Sequence, residues 1–352
     1  SITSLRIPGL QSGATDGQVL TYNSTNGNIT LADASGGGGA SEINDLSDAK
    51  TLNAGQALAL GTGALAAYNG NNNTVAVGKN ALNDMSTGNY NCAIGVEALS
   101  LLTSTSQNVA IGIYAGRRST GTSNAFVGYS AGEGVSGSAT GSNNVAVGEK
   151  CMENYTSTSN NVAVGTRALR NATSGGDNVC IGYYSGDAIT TGTNNVSIGH
   201  DAAGTLTTGS NNIAIGHNTQ PSSNTVSNEI TLGDASIATL RCNVQTISSL
   251  SDARDKTDVQ ELPEGLNFIS KLNPVKFQWQ TRDGNGKDGT YEAGFIAQEL
   301  QSAQQDADAD YLGLVMDENP DRLEASYGKL VPMLVKAIQE LKSEVEQLKA
   351  NV

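Results

Sequence analysis

A glycine that recurs at a fixed interval is the feature that most constrains the fold of this chain. Eleven glycines each follow a short apolar segment, and successive ones are 17 residues apart except for one spacing of 16 and one of 20. Such a period indicates a repeat architecture, in which thin units bury apolar surface by stacking on their neighbours. The repeat glycines are Gly61, Gly78, Gly95, Gly112, Gly128, Gly148, Gly165, Gly182, Gly199, Gly216 and Gly233.

The residues around each repeat glycine form recognisable columns. Apolar and mostly β-branched residues stand three and one positions before it, as Val145 and Val147 do before Gly148. This alternation predicts a strand with its Val/Ile face buried. An asparagine usually stands four positions before the glycine, and stacked asparagines can form a hydrogen-bonded ladder. The position after the glycine is mixed and polar, which predicts an outward-facing column.

A 17-residue rung has room for two short strands and two turns, and it encloses little apolar volume by itself. Three chains around one axis would solve this problem, since each would bury its Val/Ile face against the other two. We therefore expect a mainly β fold, with a trimeric parallel β-roll or solenoid of about eleven rungs over residues 57–250.

The repeat also has a family likeness. Asn144-Val-Ala-Val-Gly148 resembles the head repeat of trimeric autotransporter adhesins, which implies a left-handed parallel β-roll, and the 17-residue form is similar to repeats of phage tail fibres. Upstream, Asp16–Asn23 resembles a small β module found near fibre shafts. We expect this module over residues 1–35, followed by a glycine-rich linker and adaptor over residues 36–56, in which 43–56 is a short helix or turn.

Composition changes abruptly at Ser251. Residues 1–250 contain 24 charged residues and residues 251–352 contain 30, while 35 of the 42 glycines precede Ser251. The shift marks a domain boundary. Beyond it, alternation of Val275, Phe277 and Trp279 predicts a strand. A later 4-3 apolar spacing predicts a helical or coiled-coil segment, formed by Tyr327, Val331, Leu334, Ile338, Leu341, Val345 and Leu348.

Residues 251–352 resemble the intramolecular chaperone domain at the ends of phage tailspikes, tail fibres and endosialidases. The matching segments are Ser251–Lys256, Asn273–Trp279, Gly294–Glu299 and Leu330–Leu334. The resemblance implies an α+β domain that assembles three chains, helps the upstream β-structure to fold, and cuts the peptide bond between Leu250 and Ser251. It makes Ser251 the nucleophile and Lys256 the base, and a lysine can act so only if its pKa falls well below the usual ~10.4.

The chain is thus predicted to be the distal part of a virion tail fibre or tailspike. The expected partners are two further copies of the chain, a glycan or protein receptor on the host surface, and other tail proteins joined through a part preceding Ser1. The chaperone domain would be made in the host cytoplasm and released. Self-cleavage is the only enzymatic activity expected, and no cofactor is expected.

Two alternatives stay open at this stage. One is a polysaccharide-degrading tailspike, which needs paired carboxylates; only 15 acidic residues precede Ser251, and they are scattered over different columns. The other is a bacterial trimeric surface adhesin, against which the chaperone resemblance counts.

Charge and hydropathy exclude two further classes. The net charge is −14 and no Lys/Arg-rich run is present, so nucleic-acid binding through phosphate neutralisation is not expected. No apolar run reaches the ~18 residues of a transmembrane helix, so membrane insertion is not expected.

Receptor contacts are predicted in the longest repeat, because loops can vary without disturbing the stack. The 20-residue spacing from Gly128 to Gly148 suggests Tyr129, Glu133 and Tyr155 as contact residues. His200 and His217 occupy the outward column one rung apart. With no carboxylate or cysteine companion visible in the sequence, we predict solvated histidines and no metal site.

Overall fold

The computed structural model describes residues 18–22, 29–33, 49–52, 57–69, 73–237, 239–241, 243, 251–282, 288–317 and 319–351. The first three strands are β1 (Gln18–Tyr22), β2 (Ile29–Asp33) and β3 (Ala49–Leu52). Each repeat glycine is then preceded by one short strand: β4 (Ala57–Leu60), β5 (Thr74–Val77), β6 (Cys92–Ile94), β7 (Val109–Ile111), β8 (Ala125–Val127), β9 (Val145–Val147), β10 (Val162–Val164), β11 (Val179–Ile181), β12 (Val196–Ile198), β13 (Ile213–Ile215) and β14 (Ile230–Leu232).

These strands form a parallel β-solenoid of about ten turns, as the period predicts. Strands β4 to β14 pair in sequence order, and β3 joins the sheet antiparallel to β4. Equivalent columns are in register, so that Val162 pairs with Val145 on one side and Val179 on the other. The 16- and 20-residue spacings leave this register intact, because Ala125 still pairs with Val109 and Val145.

The prediction of two strands per rung is wrong, because each rung in the described part contains one strand followed by turns. The segment 43–56 was expected to be a helix or turn, but its described part is the strand β3. Strands β1 and β2 form an antiparallel hairpin within residues 1–35. The linker at residues 36–48 lies outside the described residues.

Within a single chain, the buried face of each strand is the opposite of the predicted one. The small residue between the two Val/Ile positions points into the solenoid and is fully buried, as at Ala110, Ala146 and Ala163. The Val/Ile side chains point outward, and the more exposed ones along the middle of the stack, such as Ile111 and Ile215, are 40–41% exposed. A 17-residue rung has an interior too narrow for β-branched side chains from every strand.

The larger interior side chains come from the turns, in two columns that the sequence interpretation overlooked. They stand four and seven positions after the repeat glycine and are almost completely buried: Leu65, Leu82, Leu99, Met152 and Leu169 in the first, and Met85, Leu102, Tyr155, Ile189 and Leu206 in the second. Where the first column has Gly116 and Gly132, the ring of Phe126 fills the space; a Cβ at Gly116 would lie 2.7 Å from Phe126 Cδ2.

The repeat glycine is required by its backbone conformation and by the stacking distance. At Gly148 φ is +134°, and a Cβ there would lie 2.7 Å from the carbonyl carbon and oxygen of Gly165 on the next rung. Other residues rarely adopt such a φ, and the stack leaves no space for a side chain.

The predicted asparagine ladder is present in the interior. Asn161 Oδ1 accepts the backbone N–H of Asn178 at 3.0 Å and its side-chain amide at 3.2 Å, and Asn178 Oδ1 repeats both contacts with Asn195 at 3.0 Å. The ladder runs from Asn91 to Asn212, with all of its members buried. It gives hydrogen-bond partners to polar groups that would otherwise be buried without them.

Beyond Ser251 the chain forms small α+β elements. Two antiparallel pairs, β15 (Val275–Gln278) with β16 (Tyr291–Gly294) and β17 (Val315–Met316) with β18 (Glu324–Ala325), accompany helices α1 (Leu266–Ile269), α2 (Ala297–Asp306) and α3 (Val331–Ala350). Phe268, Leu314, Leu330 and Met333 form the buried centre. In the described part of the chain, no helix has the length and apolar character needed to cross a membrane.

Helix α3 contacts the domain through a different face from the predicted seam. Met333 and Ala337 are buried, whereas the six residues of the 4-3 spacing that lie on α3 are exposed, including Ile338 at 66%. The seventh, Tyr327, precedes the helix and contacts Phe295. The helical part of the prediction is confirmed. The coiled coil stays a prediction, since one chain supplies only one face of it.

Candidate self-processing site at Ser251

A short turn brings the predicted nucleophile and base together. Residues Ala253–Asp255 form a single 3-10 turn, and the side chain of Asp252 caps it by accepting the backbone N–H of Arg254 at 2.9 Å. The turn reverses the chain between Ser251 and Lys256. A five-residue separation in an extended strand would hold these two side chains far apart.

Ser251 and Lys256 are in direct contact. The Lys256 Nζ donates a hydrogen bond to the Ser251 Oγ at 2.7 Å. This separation lies within the range for proton transfer between a nucleophile and its general base. The structure thus brings together the two residues that the family resemblance paired.

Asp252 and Arg254, two of the three charged residues between Ser251 and Lys256, pair with each other; Asp255 is the third. Arg254 donates to Asp252 through Nε at 3.1 Å and Nη2 at 2.6 Å. The hydrogen bonds from the Arg254 side chain and backbone lower the pKa of the Asp252 carboxyl, and the same side-chain pair raises the pKa of Arg254. Asp252 is therefore already engaged by a cation, which weakens the attraction it could exert on the Lys256 ammonium.

The arrangement has the parts for acyl transfer from a main-chain carbonyl to a serine hydroxyl. In the hydrogen bond described, lysine is the donor; as a base its neutral amine would accept the serine proton over the same distance. Both side chains are exposed in the single chain, so desolvation that would favour a neutral lysine has to come from elsewhere. Leu250, the other residue of the predicted cleavage site, lies outside the described residues.

The rest of the domain is connected by contacts between its strands and helices. The strand β15 has Val275 and Phe277 on its half-buried face, as predicted. Gly294 ends β16 beneath Tyr327, whose hydroxyl oxygen would lie 2.6 Å from a Cβ at that position. Glu340 of α3 accepts the backbone N–H of Leu266 at 2.7 Å, which links the last helix to the start of α1.

The three predicted receptor-contact residues have different environments. Tyr129 is exposed and makes an edge contact with Tyr114 at a centroid distance of 6.1 Å. Glu133 is paired with Arg118 at 2.5 Å and with Arg117 at 3.8 Å. Tyr155 is completely buried. We therefore withdraw it as a contact residue, because a side chain inside the solenoid cannot meet a receptor at the surface.

His200 and His217 lie on the outer surface, as predicted, but they are stacked on each other. Their ring centroids are 5.0 Å apart with an interplanar angle of 18°, and Tyr183 stacks on His200 at 5.1 Å. No group of three or more metal-binding side chains occurs among the residues that the structure describes. The sequence interpretation missed Tyr183 and Tyr184, although Tyr183 directly follows Gly182 and so shares the column of the two histidines.

Comparison with known proteins gives one match. The model of the chaperone-of-endosialidase family matches residues 251–309, a range that begins at Ser251 and extends through α2. Searches of curated proteins and of solved structures gave no match. A domain similar to this chaperone, placed after a β-solenoid, fits a tail-fibre or endosialidase-like protein.

Proposed function

We propose that this chain is the distal part of a trimeric phage tail fibre or tailspike that attaches the virion to a host cell. In this proposal the C-terminal domain is an intramolecular chaperone that cleaves the chain before Ser251. The hydrogen bond between Lys256 Nζ and Ser251 Oγ, at 2.7 Å and at the start of the chaperone match, is the observation that carries the proposal.

Assembly into a trimer is supported by two apolar surfaces that one chain leaves exposed. The first is the Val/Ile face of β4 to β14, a continuous stripe along the solenoid. The second is the 4-3 seam of α3, which faces away from its own domain. Stripes of this kind favour association with copies of the same chain, and a 4-3 spacing favours helices that pack around a common axis.

The cleavage step follows from the paired side chains. Neutral Lys256 takes the proton of the Ser251 hydroxyl while Oγ attacks the carbonyl carbon of Leu250. The C–N bond then breaks, Lys256 returns the proton to the departing amine of Ser251, and an ester joins Leu250 to Ser251 Oγ. Water hydrolyses the ester, leaving a carboxylate at Leu250 and a free amino group on Ser251. Because Lys256 is exposed in one chain, we expect cleavage to follow burial of this turn by a neighbouring chain.

The first test is the processing reaction. The wild type is expected to yield a fragment of 102 residues that starts at Ser251, identified by mass spectrometry and N-terminal sequencing. Ser251→Ala removes the nucleophile and Lys256→Ala the base. Lys256→Arg is also expected to fail, because a guanidinium stays protonated. Ser270→Ala and Lys271→Ala, which alter exposed residues of the same domain, serve as matched controls and should cleave normally. Cleavage that persists in Ser251→Ala would refute the mechanism.

The second test separates chaperoning from cleavage. A chain that ends at Leu250 is expected to aggregate, because the exposed Val/Ile stripes associate wrongly without the domain. Uncleaved Ser251→Ala is expected to form normal trimers by light scattering. If the shortened chain forms a normal trimer, the proposed chaperone role of the C-terminal domain is wrong.

A further inference from the structure

The surface chemistry of the solenoid is one-sided. Nearly all charged, tyrosine and histidine side chains of the described rungs that are not buried stand one, two, five or six positions after a repeat glycine. The exceptions are Tyr90, Asp177 and Glu229. We refer to the surface formed by these four positions as the glycine-turn flank. The opposite turns consist mostly of Ser, Thr, Asn and Gly. Stacking of the rungs therefore does not require charged or aromatic side chains on the surface.

Ion pairs between rungs explain part of this flank. Glu97 pairs with Arg117 at 2.9 Å, and Arg170 pairs with Asp187 at 3.0 Å on the adjacent rung. Such pairs connect neighbouring turns and keep the surface soluble. They give no reason for the aromatic rings, whose exposure leaves apolar area in water.

Four of the six rings on this flank form one group, the ring cluster of Tyr183, Tyr184, His200 and His217, and the other two, Tyr114 and Tyr129, form a separate pair. Tyr183, His200 and His217 occupy successive rungs, with centroid distances of 5.1 and 5.0 Å and nearly parallel planes. Tyr184 meets Tyr183 edge-on at 4.4 Å. Tyr183 is 47% exposed and the His217 side chain is 71% exposed, so the outer edges of the cluster are open to solvent.

Polar groups surround the ring cluster at both ends. The Arg167 guanidinium lies over the Tyr184 ring at 5.2 Å and donates to its hydroxyl. Asp234 Oδ2 is 3.9 Å from His217 Nδ1. The cluster therefore presents phenol hydroxyls, imidazole nitrogens, a guanidinium and a carboxylate beside aromatic carbon.

We propose that the ring cluster binds a saccharide chain that lies parallel to the solenoid axis. Sugars present hydroxyl groups that need donors and acceptors, and the open edges of these stacked rings supply a phenol hydroxyl and imidazole nitrogens. The repeat of about 5 Å between rings is comparable with the length of one sugar unit in an extended chain, so successive units would meet equivalent groups. A protein partner would instead favour apolar anchors entering a pocket, whereas this surface is polar and shallow.

The inference rests on the proposed attachment function and names its receptor class and location. The ring cluster lies beside the Val/Ile stripe proposed for trimer contacts, because Tyr183, His200 and His217 follow the repeat glycine that Ile181, Ile198 and Ile215 precede; the trimer measurement below therefore separates a binding role from a subunit contact. The test uses the full-length protein, fluorescently labelled, and a panel of bacterial cells that are untreated, oxidised with periodate or digested with protease. Purified surface polysaccharide of a strain that binds is then titrated calorimetrically.

The double variant Tyr183→Ala, His200→Ala is compared with Tyr90→Ala, which removes an exposed tyrosine from outside the glycine-turn flank. We expect wild type to bind cells, periodate to abolish binding, and the double variant to lose about tenfold or more in affinity for the polysaccharide, while Tyr90→Ala binds as wild type does. All variants should remain trimeric by light scattering.

The remaining outcomes contradict the inference in distinguishable ways. Wild-type affinity in the double variant overturns the site. Binding that protease abolishes and periodate spares overturns the saccharide class and indicates a protein receptor. Loss of the trimer in the double variant assigns the rings to the subunit interface. If wild type binds no cells, the attachment function fails, and this inference fails with it.

Discussion

The hydroxyl of Tyr155 donates a hydrogen bond to the Oγ of Ser119 at 2.6 Å, across 36 residues of sequence and two rungs of the solenoid. The intervening rung is the one with the 20-residue spacing, where Val135 at the equivalent position is exposed. The Tyr155 ring also contacts Phe126 at a centroid distance of 5.7 Å. Tyr155 therefore closes the interior where the repeat is interrupted, and burial raises the pKa of its phenol.

This role predicts a stability effect at Tyr155 without an effect on attachment. Tyr155→Phe leaves the buried Ser119 hydroxyl without its partner and is expected to cost on the order of 1–2 kcal/mol. Tyr155→Ala also creates a cavity and is expected to cost about 3–5 kcal/mol. Chemical denaturation measures both, with the exposed Tyr129→Phe as control. A stable Tyr155→Phe that no longer binds cells would restore Tyr155 as a contact residue.

The repeat glycine predicts a contrast between two substitutions to alanine. Gly148→Ala places a methyl group against the Gly165 carbonyl at a φ of +134°, so we expect aggregation or severe loss of stability. Gly137→Ala also has a positive φ, +75°, but a Cβ there meets no atom within 4 Å. Its cost is expected to be about 1 kcal/mol. Soluble yield and thermal unfolding would compare them, and equal effects would argue against close stacking as the cause.

The asparagine ladder predicts a difference between interior and exterior amides. Asn161→Ala removes the acceptor of two Asn178 donors inside the solenoid and is expected to destabilise the fold by about 2 kcal/mol or more. Asn154→Ala removes an exposed hydrogen bond to Asn171 Oδ1 at 2.9 Å; its effect should stay within about 0.5 kcal/mol. The denaturation midpoints of the two variants measure this difference. Similar midpoints would mean that the asparagine ladder contributes little to the stability of the fold.

The outward seam of α3 predicts an assembly defect. Ile338→Asp puts a charge in the centre of the proposed contact between helices and should reduce the yield of trimer several-fold. Gln339→Asp puts the same charge on the neighbouring exposed position and should leave the yield unchanged. Light scattering of freshly folded protein distinguishes them. Full trimer yield from Ile338→Asp would mean that this seam is not a subunit contact.

The sequence was sufficient to predict the stack, because a fixed period around Gly148 and its equivalents places the same columns of successive rungs side by side, but it did not reveal that each rung has one strand. The sequence could not show which side chains of each strand point into the solenoid. Alternation at Val145 and Val147 gives the same signal for either side of a strand, and only the width of the rung shows that Ala146 is the residue that fits inside. Tyr155 was wrongly predicted to be a surface residue for a related reason. The column of buried side chains seven positions after the repeat glycine, to which it belongs, is interrupted by the exposed Val135.

At the C-terminal site, the spacing of Ser251 and Lys256 was available in advance and their contact was not. The turn that joins them depends on capping by Asp252, a local hydrogen bond that a pairwise motif does not reveal. The ring cluster was missed because Tyr183 and His200 differ in residue type. A search for one recurring residue type does not reveal that both directly follow a repeat glycine.

The register of the rungs also fixes how the length of the solenoid depends on the number of its repeats. Both irregular spacings fall in the turns and leave the pairing of β7, β8 and β9 unchanged, so the strands connect each rung to the next in the same way even where the turns differ in length. Duplicating or deleting one 17-residue unit therefore changes the length of the solenoid by about 4.8 Å and preserves the pairing of its strands, whereas side-chain contacts such as Glu97 with Arg117 belong to particular rungs.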